Sequence, residues 1–155
     1  MKAVSTWQRG FESRLSDGRG HEVTIDLPKD EDGGDLGTSG LELAALSLAG
    51  CITTIFALVA ERRRLPFRAM RVEIEAHRPP RSKTITHVDG TFFLATSADR
   101  SDAETALAIT LRTCPVGVIF ELAHIPVQVT LVVEPEAEPA RIARASHEAG
   151  TAPAS

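Results

Sequence analysis

Eighteen consecutive residues, Leu43 to Ala60, carry no charge. An apolar run of that length must be kept from water along its whole extent, and this constrains the fold more than any other feature. Ahead of it, Ser39-x-x-Glu42 has the spacing of a capping box, in which the two side chains satisfy each other's backbone N–H groups. Behind it, Arg62, Arg63 and Arg64 suit the negative end of a helix dipole, and Pro66 cannot continue a helix. The pattern predicts one helix from about Ser39 to Arg64. Such a run also reaches the short end of a membrane span with a basic flank. Ser47, Thr53, Thr54 and the abundance of alanine favour a core helix instead. A helix apolar on nearly every side must be buried all round. One small sheet supplies too little cover, so a second copy of the chain is expected, as a homodimer.

The flanking segments read as strands and short helices. Val4 to Leu15 divides at Gly10 into two short strands, and Asp17-Gly18 with Gly20 is turn chemistry. His21 to Leu27 alternates, with Val23, Ile25 and Leu27 on one face, as in a half-buried strand. Pro28 to Gly40 holds four glycines and four acidic residues and reads as a loop. Beyond the long helix, Arg68 to His77 alternates again, with Met70, Val72, Ile74 and Ala76 on the apolar face. Thr84 to Thr96 is a further strand in which Asp89-Gly90 suggests a bulge or turn. A helix capped by Ser101 is interrupted at Cys114-Pro115, and Ile125 to Val133 closes the order as a strand. The fold class is α+β, with a mostly antiparallel sheet and a long buried central helix. Residues 1–134 form the domain, and 135–155, rich in Ala, Pro and Glu, read as a mobile tail.

Composition narrows the function classes. The 155 residues carry a net charge of −4, which disfavours a general nucleic-acid binder. There is one Trp and no Tyr, so a stacking platform for single strands is not expected. Met1 to Leu15 is polar, without the apolar stretch of a secretory signal, and a cytoplasmic location is expected, with no membrane partner. There is no G-x-S-x-G, P-loop, H-E-x-x-H or C-x-x-C, and the five histidines are scattered along the chain. Neither a zinc site nor a cofactor is expected.

Two cysteines remain, 63 residues apart. Cys51 lies mid-helix beside Ala49 and Gly50, where small neighbours permit close approach. Cys114 precedes Pro115, a residue favoured at the first helical position, so its thiol is placed as an N-cap. Free N–H groups and a positive dipole end there are expected to lower its pKa. On spacing alone, two inert core cysteines and a reactive pair are equally good readings.

The stretch from Ser39 to Cys51, with Glu42-Leu43 and Gly50-Cys51, resembles the S-P-x-E-L-x-x-A-x-x-G-C stretch of the OsmC/Ohr family. Cys114-Pro115-Val116 resembles that family's second-cysteine motif, and the likeness covers roughly residues 1–134. The resemblance implies an intertwined homodimer with sites at the interface and a thiol-dependent peroxidase acting on organic hydroperoxides. Cys51 would be the peroxidatic cysteine and Cys114 the resolving one. An arginine held by a glutamate would stabilise the thiolate, which by position points to Arg19, with Arg9 and Arg14 as rivals, and to Glu42. An external dithiol, a lipoylated or thioredoxin-like protein, would restore the pair. The chain departs from the pattern at Gly40, where the family has proline. Glu42 stands nine residues before Cys51, about 900° of helix, so the two would face opposite ways on one unbroken helix. A non-catalytic homodimer holding a small apolar ligand in the interface cleft is the alternative reading.

Overall fold

The computed structural model describes residues 1–134. Strands β1 (Val4–Arg9), β2 (Glu12–Ser16) and β3 (Glu22–Ile25) form a first antiparallel sheet in that order. Gly10 turns the chain between β1 and β2 with φ of +48°, a conformation glycine adopts at no steric cost. A loop with a short 3-10 turn leads to α1 (Gly40–Arg63). Then follow β4 (Ala69–His77), β5 (His87–Ala95), α2 (Arg100–Thr113), α3 (Pro115–Leu122) and β6 (Val127–Glu134). The second sheet has the order β4-β5-β6.

Three of the four strand pairings are antiparallel, and the fourth, β5 with β6, is parallel. A parallel neighbour needs a long return path, and α2 with α3 provides it. The strands therefore divide between two small sheets rather than sharing one, and helices and strands are not wholly segregated. The bulge or turn expected at Asp89-Gly90 is absent, since β5 runs straight through in unbroken register with Gly90 opposite Ile74. A Cβ on Gly90 would lie 2.8 Å from Ile74 Cδ1 and 3.0 Å from the Glu73 carbonyl, so this glycine answers close packing. Helix α2 starts earlier than expected, with Asp99 rather than Ser101 as its N-cap residue.

The capping box of α1 forms as its sequence predicts: the Glu42 N–H donates to Ser39 Oγ at 3.3 Å, and the Ser39 N–H donates to Glu42 Oε2 at 2.6 Å. Arg64 ends the helix in a left-handed conformation. Leu48, Ile52, Phe56, Val59 and Ala60 recur at helical spacing and bury one face against β4, α2 and α3. The Phe56 and Phe92 rings meet at 4.5 Å, with Phe67 edge-on to Phe56 at 6.1 Å. Burial all round is not what one chain achieves. Leu46, Gly50, Thr54 and Leu58 form an exposed stripe along α1, with Leu46 at 58% and Leu58 at 43% exposure.

The first sheet is also largely uncovered. Every residue of β1 is exposed, Trp7 at 68%, and Val23 of β3 is exposed instead of half-buried. Its connection to α1 is held by Asp26, a buried carboxylate that sequence reading passed over. The Asp26 oxygens accept from the N–H groups of Leu27, Gly34 and Leu36. The expected tail, 135–155, lies outside the described residues.

Candidate functional site

Cys51 sits at the middle of α1, partly buried, and Cys114 is fully buried at the corner between α2 and α3. Those two helices meet at 61°, because Pro115 offers no N–H to continue α2 and starts α3 instead. Helix α1 packs on both, and this brings Cys51 close enough to Cys114 to act on its proton. Both cysteines are in the free thiol state.

Cys114 is the N-cap of α3, as its position before proline suggests, and its sulfur accepts from the Gly117 N–H at 3.4 Å. The expected lowering of its pKa does not follow. Burial pushes the Cys114 thiol up, and the Gly117 N–H, which pulls the other way, does not offset it. The neighbouring Cys51 raises it further. The weak pull of the Gly117 and Val116 N–H groups at the start of an eight-residue helix is outweighed by removal of the thiol from water. Gly117 also matters by its size. A Cβ there would lie 3.3 Å from Cys114 Cβ and 3.6 Å from its sulfur. A cavity of about 570 Å³ opens beside Cys114, lined by Leu48, Ile52, Leu111, Glu121, His124 and Ile125 among others.

The charged candidates are elsewhere in the chain. Glu42 is occupied by its cap: it accepts from the Ser39 N–H and from Thr38 Oγ1, and the backbone bond to Ser39 is the main cause of its lowered pKa. Arg19 lies in the β2–β3 turn, where its guanidinium pairs with Asp17 at 2.8 Å. Asp17 also accepts from His21, and this bond first, then the Arg19 contacts, lowers its pKa to about 2. The rivals are engaged as well, Arg9 with Glu12 at 2.9 Å and Arg14 with Glu22 at 3.7 Å. Within one chain the structure thus brings the two cysteines together, and neither Glu42 nor Arg19 joins them. A larger groove of about 1280 Å³ runs past Glu42, Leu46 and Ala49 and is walled by Leu27, Leu36 and Ile74.

The OsmC-like protein family model matches residues 32–130, so the chain belongs to that family. No curated protein sequence matches it. Among solved structures, an OsmC-like protein from Mycoplasma pneumoniae superposes with a TM-score of 0.76 at 11% identity, covering 85% of this chain and 95% of that one. An OsmC-like protein of unknown function from Vibrio cholerae gives 0.70 at 14%, over 84% and 97%. An organic hydroperoxide resistance protein OsmC from Legionella pneumophila gives 0.61 at 17%, over 86% and 97%. At these identities the likeness establishes the shared α+β fold.

Proposed function

We propose that the chain is a thiol-dependent peroxidase for organic hydroperoxides, with Cys51 as the attacking and Cys114 as the resolving cysteine. The observation that carries this reading is the approach of the two thiols across the α1–α3 contact. The name of the Legionella relative, an organic hydroperoxide resistance protein, points the same way.

The reaction balances as follows. The Cys51 thiolate attacks one peroxide oxygen, an S–O bond forms, the O–O bond breaks, and the alkoxide leaves as alcohol with a proton. Cys51 is then a sulfenic acid. The Cys114 sulfur attacks it, the S–S bond forms, the S–O bond breaks, and hydroxide leaves with the Cys114 proton as water. An external dithiol, on a lipoylated or thioredoxin-like protein, reduces the disulfide by exchange. The raised pKa keeps Cys114 a thiol until the sulfenic acid is next to it, so the proton needed for water is already in place.

The proposal includes a homodimer. The exposed α1 stripe and the uncovered first sheet need a partner surface, and Gly50 has no atom within 4 Å of where its Cβ would be, leaving room for a second helix. In that assembly Arg19 of one copy would leave Asp17 and serve the Cys51 thiolate of the other, with Glu42 holding it. The protein would work in the cytoplasm, without nucleic acid or membrane.

The test is mass and thiol count after one equivalent of an organic hydroperoxide without reductant. Loss of two hydrogens and of both thiols is expected. Cys51→Ser should abolish consumption, and Cys114→Ser should allow a single turnover. Two intact thiols in excess peroxide would overturn the reading. A second reading, a non-catalytic homodimer that holds an apolar ligand, draws on the groove past Leu46. It is favoured if extraction of the native protein recovers a bound lipid-like molecule while the thiols stay inert.

A further inference from the structure

Two of the five histidines that look scattered in sequence meet in space. His77 of β4 and His87 of β5 are direct cross-strand partners, and their rings stack at 4.1 Å with planes 8° apart. Asp89, two residues on from His87, shares their face of the sheet and stands opposite Glu75. His77 Nε2 lies 3.1 Å from Asp89 Oδ2, and His87 Nε2 lies 3.9 Å from the same oxygen. All three ligand atoms fall within 4.8 Å of one another.

The opposite edge of each ring is engaged separately. Thr86 Oγ1 donates its proton to the His77 carbonyl at 3.1 Å, so toward His87 it can only accept. His87 Nδ1, 3.3 Å away, is therefore the protonated nitrogen, and its Nε2 turns a lone pair toward the Asp89 carboxylate. His77 Nε2 donates to Asp89 Oδ2 at 3.1 Å, so a bound ion would displace that proton and leave His77 Nδ1–H facing the Glu75 carboxylate, 4.0 Å away. Two imidazole nitrogens and one carboxylate oxygen are thus gathered on one face, and an ion between them would turn the stacked rings toward it, with a second carboxylate behind His77. In metal-bound histidines the outer N–H is held by an oxygen acceptor, the part that Thr86 Oγ1 is placed to take for His87 and Glu75 for His77. A tetrahedral ion with bonds of about 2.0–2.1 Å separates its ligand atoms by about 3.3 Å, between the two separations found here.

We propose that His77, His87 and Asp89 bind a zinc-class divalent ion on the open face of the second sheet, with Glu75 and Thr86 orienting the two rings. Two imidazoles with one carboxylate suit zinc, copper or nickel rather than magnesium or calcium. Strands β4 and β5 hold the ligands through a continuous ladder, so little ordering is needed on binding. The site is distinct from the cysteine pair and does not depend on peroxidase activity.

Calorimetric titration of zinc chloride into the full chain carrying Cys51→Ser and Cys114→Ser removes thiol competition. One ion per chain is expected, unaffected by equal magnesium. His77→Asn and His87→Asn should each weaken binding at least about tenfold, since even outer-shell changes cost that much. Asp89→Asn should weaken it too, and thermal melts of the metal-free variants check their folding. Ring NMR signals of His77 and His87 should shift with zinc in the otherwise native protein. Unchanged affinity in both histidine variants, or binding no tighter than millimolar, overturns the proposal.

Discussion

At the scale of single residues, the competition between burial and hydrogen bonding decides how the cysteines behave. Cys114 has the N-cap position that in a solvated helix would make a reactive thiol, yet it is buried and its pKa is raised. Iodoacetamide near pH 8 should therefore modify Cys51 well before Cys114, as peptide mapping would show. Gly117→Ala should crowd the same sulfur, costing about 1–3 kcal/mol in the unfolding free energy and slowing disulfide formation. The cap position was legible because Cys-Pro is a local pattern. The dominance of burial was not, because desolvation depends on what α1 and the other elements place around the thiol. Asp17 shows the opposite balance. It is only half-buried but bonded to His21 and Arg19, and NMR titration should place its carboxyl near 2. Its folded pKa lies below the ordinary carboxylate value of about 3.9, so its contribution to stability is complete above that value and lost as pH falls toward 2. His21→Ala should move the midpoint upward.

At the scale of elements, α1 was the most legible part of the chain. Capping box, uncharged run and terminal arginines all point to one helix, and the observed ends match to within a residue or two. Its buried face carries the core. Phe56→Ala should cost about 3–5 kcal/mol by denaturant unfolding, because Phe67 and Phe92 lose a shared partner. Ser39→Ala should cost about 1 kcal/mol through the lost cap. Alternation locates β4, and Thr84 to Thr96 reads as a further strand, but neither pattern gives their pairing. That is why His77, His87 and Asp89 looked unrelated: they meet only through the antiparallel register of two strands separated by a loop. Asp26 escaped notice for the same reason, since its partners are N–H groups that come to it only when the glycine-rich loop folds back. Asp89-Gly90 reads as a bulge or turn because a glycine chosen for close packing looks the same in sequence as one chosen for φ.

At the scale of the whole molecule, the apolar surface left open is the main unresolved demand of a single chain. Leu46 and Leu58 on α1, Ile119 and Leu122 on α3, and Trp7 on the first sheet are all exposed. Sequence alone suggested a second copy, because an uncharged helix needs more cover than its own chain provides, and the exposed α1 stripe locates where that cover is missing. Gly50→Leu should fill the space beside the stripe and shift sedimentation toward the monomer, with α1 still formed by circular dichroism. An unchanged mass would overturn the α1 stripe as the contact of the proposed dimer.

The parallel pairing of β5 and β6 bears on how the chain is made as well as on how it folds. Strand β5 lies between β4 and β6, so one of its edges stays open until residues Val127–Glu134 have left the ribosome. During that interval the buried-face residues Phe92 and Leu94 belong to an incomplete sheet with free N–H and C=O groups, a template for pairing with other nascent chains. Helices α2 and α3 emerge in the meantime, and their docking on α1 builds the surface on which that last strand is laid.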